Sequence, residues 1–329
     1  MAKTVFTTSN ALTKKAWEVK LFRDALKEAY FSRFMGTDAN SLCQVKTDLT
    51  RDKGDKITFG IRMRLTGTGV TSGQTLEGAE ESLVTYDHSV TLEQYRHGVR
   101  DNGALDRQRA MFSIDEESRS ALLGWGGEKV DQLSFDAIVA SPTKTFWGGA
   151  ATATTDILAT DKITPALISK VRVWCFGGGS RVQTPLRPVR VGGKSYFIML
   201  VHPDVMYDLK QDSTFAQAVR EARERGKENP LFTGAAGIWD GVVIHEHENV
   251  PIVTTWGVGG NVAGAKCVFM GAQSLVWAWG KRPSVVAKNF DYENEHGYAW
   301  GFIAGVNKPK FNSLDYGSVA VYVARTAIN

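Results

Sequence analysis

Apolar residues recur at three- and four-residue spacing through Leu12, Ala16, Val19, Phe22, Leu26, Tyr30 and Phe34, which predicts an amphipathic helix closed by Gly36. The residues before it are polar (Thr4, Thr7, Thr8, Ser9, Asn10), so the opening reads as a frayed tail feeding a helix, packed on its own domain or laid on a neighbouring subunit. The period then changes to two. Ile57, Phe59, Ile61, Met63 and Leu65 alternate with Thr58, Gly60, Arg62 and Arg64, and Val84, Tyr86, His88, Val90 and Leu92 alternate with Thr85, Asp87, Ser89 and Thr91. These runs predict an antiparallel ribbon. Residues 66–81 join them, with Gly67, Gly69, Gly73 and Gly78 among the acids Glu77, Glu80 and Glu81. Connections of that length in compact domains are usually functional or disordered. Ten strand residues would give an arm of roughly 30 Å, and a two-stranded ribbon of that reach is marginal in water without a partner surface.

Helical spacing resumes after Asn102, with Ser113 and Glu116 as a capping box and Leu122, Gly126, Val130, Leu133 and Ala137 carrying the period toward Ala140. Gly124, Gly126 and Gly127 each cost about 1 kcal/mol relative to alanine in a helix, which predicts a break or bend there. The Gly/Ala/Thr-rich residues 147–155 read as a flexible joint and a domain boundary. Beyond it, Thr164 caps a helix with Pro165 first, Leu167, Ile168, Val171 and Trp174 on its apolar face, and residues 177–179 as the stop. The run from Phe197 to Val201 predicts a strand buried on both faces. Residues 215–225 form a charged helix, with Glu221 and Arg225 four apart on a solvated face. Short strand patterns at residues 242–246, 252–255, 267–270, 275–279, 298–302 and 319–323 complete an α+β class.

Composition narrows the function. The 329 residues (36.1 kDa) are 43% hydrophobic and 22% charged, enough for a substantial core in one or two joined domains. Lys and Arg number 39 against 35 Asp and Glu, a net charge of +4 that is too thin for nucleic-acid binding to dominate. Cys43, Cys175 and Cys267 are far apart and encode neither a disulfide framework nor a zinc knuckle. The start, Met1-Ala2-Lys3-Thr4-Val5, lacks an apolar signal region, and no window approaches about 18 uncharged apolar residues; secretion and membrane spanning are not expected. The 33 glycines and 9 tryptophans imply many sharp turns beside many large rings.

Few constellations suggest chemistry. His245 and His247, in the run His245-Glu246-His247-Glu248, would share one face of a strand and could share a metal, but no third ligand is evident, and a surface strand end is the simpler reading. Gly192-Gly193-Lys194-Ser195 lacks the first glycine of a phosphate loop, Gly257-Val258-Gly259 fails the dinucleotide fingerprint, and no Gly-x-Ser-x-Gly elbow occurs. Asp106, Arg107, Arg109, Asp115, Glu116 and Glu117 crowd a helix start, where dipole complementarity and intersubunit ion pairs explain them better than carboxylate catalysis. Trp277, Trp279, Tyr298, Trp300 and Phe302 could form a carbohydrate platform, although a core face or subunit contact is the simpler reading.

A set of ordered motifs carries a family resemblance: Tyr30-Phe31-Ser32-Arg33-Phe34-Met35-Gly36, Gly54-Asp55-Lys56-Ile57-Thr58-Phe59, Leu76-Glu77-Gly78-Ala79-Glu80-Glu81, Leu105-Asp106-Arg107-Gln108-Arg109, Val201-His202-Pro203-Asp204, Trp239-Asp240-Gly241-Val242-Val243-Ile244, Gly271-Ala272-Gln273, and the run from Gly305-Val306-Asn307-Lys308-Pro309 to Asp315-Tyr316-Gly317. In this order, across about residues 30 to 320, the chain resembles the major capsid proteins of tailed double-stranded DNA bacteriophages, in the subgroup related to the phage N-four capsid protein. The resemblance implies the shell fold shared by tailed phages and herpesviruses. It assigns 1–40 to an N-terminal arm, 41–55 to the first part of a peripheral domain, and 56–99 to an extended loop. It assigns 100–155 to the peripheral domain with its spine helix, 156–288 to an axial domain, and 289–329 to C-terminal strands returning to the peripheral domain. It implies a non-enzymatic structural role without cofactor or metal: self-assembly into hexamers and pentamers of an icosahedral head, made in the host cytoplasm and kept in the virion. Implied partners are other copies of the chain, scaffolding, portal and decoration proteins, and weak contact with packaged DNA; no membrane is involved. With the ribbon and arm it places intersubunit contacts on Phe22, Tyr30, Arg62, Arg64, Gly67, Gly69, Gly73, Glu77, Gly78, Glu80 and Glu81. The rival expectations are a carbohydrate-binding phage appendage using the tryptophan face and a metal-dependent enzyme using His245 and His247.

Overall fold

The computed structural model of the chain describes residues 29–47, 54–62, 65, 67–110, 113–177, 186–221 and 235–328. Two sheets and one long helix organise them. The first sheet has the order β1 (Met35–Gly36), β2 (Cys43–Lys46), β13 (Leu275–Phe290), β14 (Glu295–Asn307) and β5 (Glu93–Arg100). The second has the order β6 (Thr145–Trp147), β17 (Ser318–Ala324), β12 (Val262–Met270), β8 (Lys194–Val201), β10 (Val242–Glu246) and β9 (Gly237–Trp239), with β11 (Ile252–Trp256) paired to β12 and β7 (Val189–Val191) to β8. A ribbon of β3 (Lys56–Arg62) and β4 (Thr85–Thr91) and a small pair, β15 (Lys310–Phe311) and β16 (Leu314–Asp315), stand outside them.

The apolar run in β8 exists because both of its faces are covered. Phe197, Met199 and Val201 pack with Leu167, Ile168 and Val171 of α3 (Pro165–Cys175) and with Val205, Met206 and Leu209 of α4 (Pro203–Gln211). Ile198 and Leu200 point the other way, into a core built on α2 (Ile114–Val139) and the tryptophans of β13 and β14. Complete burial of such a side chain contributes about 1.5–3 kcal/mol, so this alternation fastens the second sheet between two layers. The start of α3 is as its sequence predicts: the Thr164 hydroxyl accepts the Leu167 N–H at 3.2 Å, and Pro165 occupies the first turn. α5 (Ser213–Glu221) follows α4; Arg225 of the expected longer helix lies outside the described residues.

Four expectations change. α2 is unbroken through Gly124, Gly126 and Gly127. A Cβ on Gly126 would lie 2.8 Å from the ring edge of Trp300, so this glycine lets helix and sheet approach closely, and packing overrides propensity. The run 147–155 is packed rather than a loose joint: the Gly148 N–H donates to the Tyr322 carbonyl at 2.9 Å, and a Cβ on Gly148 would collide with the Asp161 carbonyl. β5, expected within the extended loop, pairs along its length with β14, so the ribbon's own pairing ends at Thr91. Of the expected helix through Phe34, residues 12–28 lie outside the described residues, and Tyr30–Phe34 form a 3-10 turn seated on α2.

Candidate assembly surfaces

β3 and β4 pair antiparallel from Lys56↔Thr91 to Arg62↔Thr85, in the register that the alternation predicts. Among the described residues the anchored part is the lower half, up to Phe59 and His88, which meet Phe311 of β15 at 6.5 and 6.2 Å. Ile57 and Val90 are buried with Val276 and Ala278 of β13, flanked by Phe59 and Leu92, because these are the residues of the ribbon that meet the first sheet. Beyond the base the chain leaves the body: every residue from Thr71 to Thr85 is exposed, Leu76, Leu83 and Val84 among them. The loop is stitched to itself. Glu81 accepts the Gly67 N–H at 2.6 Å and Glu80 accepts the Gly78 N–H at 2.7 Å, while the Gln74 side chain accepts the Thr71 N–H at 3.0 Å. Gly69, Gly73 and Gly78 hold φ of 69°, 99° and 86° in open space, so backbone conformation rather than crowding requires glycine there. Arg62 closes β3; Arg64 and Phe22 lie outside the described residues.

Tyr30 is an anchor within its own subunit. Its ring lies 4.4 Å from that of His247 and 6.3 Å from Phe135, with the Arg33 guanidinium 3.9 Å over its face. Asp131 of α2 accepts the Tyr30 N–H at 2.6 Å and the Phe31 N–H at 2.9 Å, so a carboxylate about a hundred residues away caps the 3-10 turn. Burial pushes the Asp131 carboxyl up from its ordinary value, although the two N–H groups and Arg33 pull the other way; burial also raises the Tyr30 phenol. A lone aspartate in a helix gives no sequence signal for this clamp.

The tip of the β13–β14 hairpin is the third exposed feature. Asp291, Tyr292 and Glu293 have φ of 46°, 47° and 71°, a left-handed run without glycine that costs about 1–2 kcal/mol per residue. Asn294 braces it: its N–H donates to the Asp291 carbonyl at 2.9 Å, and its side-chain oxygen accepts the Ala104 N–H at 3.1 Å. Arg107, on α1 (Ala104–Arg109), donates to the Asn294 carbonyl at 3.0 Å. Tyr292 is fully exposed at the tip.

A family model described as phage capsid protein matches residues 5–147 and 138–327. The major capsid protein of Pseudomonas phage KPP25 is 31% identical, across 94% of this chain and 95% of that one. The chain belongs to the phage capsid protein family. Its fold matches the capsid of Ralstonia phage GP4 with a TM-score of 0.83 at 27% identity and the capsid of cyanophage Pam1 with 0.77 at 22%, both across the full length of each chain. The fold is thus a mixed α/β fold of the kind known in phage capsids, and the protein is a structural component of the virion shell.

The remaining clusters in this capsid protein serve packing. His245 is fully buried, its ring edge-on to Phe34 at 5.5 Å, and His247 lies 4.7 Å from Phe135 with its Nδ1 accepting the Asn249 N–H at 3.1 Å. The expected surface strand end is present, since β10 closes at Glu246 and Glu246, Glu248 and Asn249 are exposed, but His245 is interior and half-buried His247 lies on an aromatic shelf, where burial lowers its pKa. Both histidines do fall on one side, against Tyr30, without joining any group of three metal-ligating side chains among the described residues. The group that does gather is Asp101, Asp115 and His296, where Asp101 is already paired with Arg107. Trp277, Trp279, Trp300 and Phe302 are buried, so the tryptophan face is core and unavailable as a carbohydrate platform. Trp277 donates its indole N–H to the Ser134 hydroxyl at 3.2 Å. At the helix start, Arg109 lies 3.8 Å from Asp106 and the three acids occupy the first turn of α2, where the helix dipole favours them. The Gly192-Gly193 pair, with φ of 55° and 77°, is the tight turn between β7 and β8.

Proposed function

We propose that this capsid protein builds its icosahedral head as hexamers and pentamers joined through the ribbon loop. The observation that carries the reading is the run of exposure from Thr71 to Thr85, with three large apolar side chains, above a ribbon anchored in its lower half. A subunit with such an arm leaves apolar area wet that a neighbouring copy can cover, and repeated heterologous contacts between identical subunits close into rings. In this reading residues 56–91 are the extended loop, α2 is the spine of a peripheral domain completed by the first sheet, the axial domain, expected over 156–288, ends before β13 because that strand joins the first sheet, and the N-terminal residues are an arm rooted at Tyr30. Glu77, Glu80 and Glu81, with Gly67, Gly69, Gly73 and Gly78 shaping their backbone, form the contact end of the loop, and Arg62 and Arg64 are further contact residues. Scaffolding, portal and decoration proteins complete the assembly, and the thin positive charge limits contact with packaged DNA to a weak, non-specific one.

Deletion of residues 67–80 tests this. The shortened chain should fold, because the removed residues contribute nothing to the buried core, and should fail to form particles in sedimentation and negative-stain microscopy. Normal shells from the deletion would refute the loop assignment.

A further inference from the structure

The hairpin tip and a hollow on the same sheet have complementary chemistry. The tip presents Tyr292 between two acids, Asp291 and Glu293. The hollow, about 220 Å³, opens on β5, β13 and β14 and is lined along β14 by residues 299–303, the otherwise buried Trp300 and Phe302 among them. Its lining is mostly apolar, with Val286 and Ile303, and it is rimmed by Arg96 and Lys281, which form no ion pair with any described residue. The sequence shapes the hollow in two ways: Gly301 lets the Arg96 stem lie flat on the sheet at the rim, where a Cβ would come 2.9 Å from the Arg96 Cγ, and the β13–β14 register shifts between Trp279 and Ser284, around Gly280 and Pro283. A cavity of about 150 Å³ already holds a benzene ring, so this one accommodates a phenol.

We infer that Tyr292 is a knob that seats in this hollow on a second copy of the chain, with Asp291 and Glu293 meeting Arg96 and Lys281 on the rim. The contact cannot form within one subunit. Val286 pairs with Ala299 and the last pair before the tip is Phe290↔Glu295, so the hollow lies roughly 14 Å down the same rigid hairpin. One knob and one socket at different places on each subunit make a heterologous contact, which propagates from copy to copy. The strained left-handed run supports the assignment. Three non-glycine residues are held at positive φ by Asn294, Ala104 and Arg107, and the arrangement serves no packing within the subunit, since Tyr292 touches solvent on all sides. Aromatic side chains seated in pockets and ringed by polar contacts dominate the energetics of such interfaces.

This inference rests on the shell reading and adds a contact distinct from the ribbon loop. The test is a double variant, Tyr292→Cys with Ser284→Cys, assembled and then oxidised; the native Cys43, Cys175 and Cys267 are all buried and do not compete. The expected result is a ladder of covalent dimers and higher species on a non-reducing gel, collapsed by reductant and absent from either single variant. Subunits that run as monomers from intact double-variant shells would overturn the contact while leaving the shell reading in place. Absence of particles from the wild-type chain would remove the shell reading, and this contact with it. Should the double variant not assemble, charge exchange decides: Asp291→Lys with Glu293→Lys should lower particle yield at least tenfold, and adding Arg96→Glu with Lys281→Glu should restore it. Wild-type yield from the first pair, or no recovery with the second, counts against the contact.

Discussion

Two glycines of α2 should respond differently to the same substitution. Gly124→Ala places a Cβ where no atom of the described residues lies within 4 Å, whereas Gly126→Ala places one 2.8 Å from Cζ2 and Cη2 of Trp300. The Trp300 ring is in no position to yield, being buried between Trp125 at 5.5 Å and Phe302 at 5.2 Å. Both variants gain the same helix propensity, about 1 kcal/mol, and only Gly126→Ala incurs an overpacking cost, about 1–3 kcal/mol. Gly124→Ala should therefore stabilise the subunit by about 1 kcal/mol. The propensity gain cancels in the difference between the two variants, so Gly126→Ala should lie about 1–3 kcal/mol below it. With an unfolding entropy of about 2.1 cal/mol/K per residue, a chain of this length changes its Tm by about 1.5 °C per kcal/mol, and the expected gap is about 2–4 °C. Urea or thermal unfolding of the unassembled subunit measures it. Equal stabilities for the two variants would show that Trp300 does not set the helix-to-sheet distance and would refute the packing account of the unbroken helix.

Asp131→Ala should destabilise the subunit by about 2 kcal/mol in denaturant titration, because it strands the Tyr30 and Phe31 N–H groups in a partly buried site; a change under about 0.5 kcal/mol would dismiss the clamp. Asp101→Asn tests a pH dependence. Burial alone would raise the Asp101 carboxyl, but the His296 N–H and the Arg107 guanidinium outweigh it and hold the pKa below its ordinary value. A depressed carboxylate stabilises above the unfolded pKa of about 3.9 and loses that contribution as pH falls through the folded value. The wild type should therefore exceed Asp101→Asn in stability at neutral pH, with the gap closing below about pH 4; a gap independent of pH contradicts the pairing. Reversal of Glu77, Glu80 and Glu81 to lysine should weaken capsomer joining, read by sedimentation, since it removes the loop's acids and unties Gly67 and Gly78. Unchanged particle yield would argue against a role for them.

Local patterns carried much of the fold. Alternation in β3 and β4 predicts their pairing, Thr164-Pro165 the start of α3, and the apolar run in β8 its two-sided burial. What sequence reading missed depends on residues brought together from far apart. Nothing near Gly126 announces Trp300, 174 positions later, and nothing near Asp131 announces the two N–H groups it caps. His245 was legible in part: Val242, Val243 and Ile244 before it read as a doubly buried strand, and continuing that strand carries His245 inside, where Tyr30 and Phe34 from the other end of the chain enclose it. β5 is polar at Glu93, Gln94, Arg96 and Arg100 because it is the edge of its sheet, which hides its pairing with β14. The strained tip at Tyr292 has no glycine to mark it, so only backbone geometry exposes it.

The central claim is that the ribbon loop is an unfinished surface that only further copies complete. Negative-stain electron microscopy of the full-length protein, purified and concentrated, tests it most directly. The account predicts closed shells with fivefold vertices built from this one chain. A monodisperse monomer at high concentration, with residues 71–85 protected from proteolysis against its own body, would contradict it.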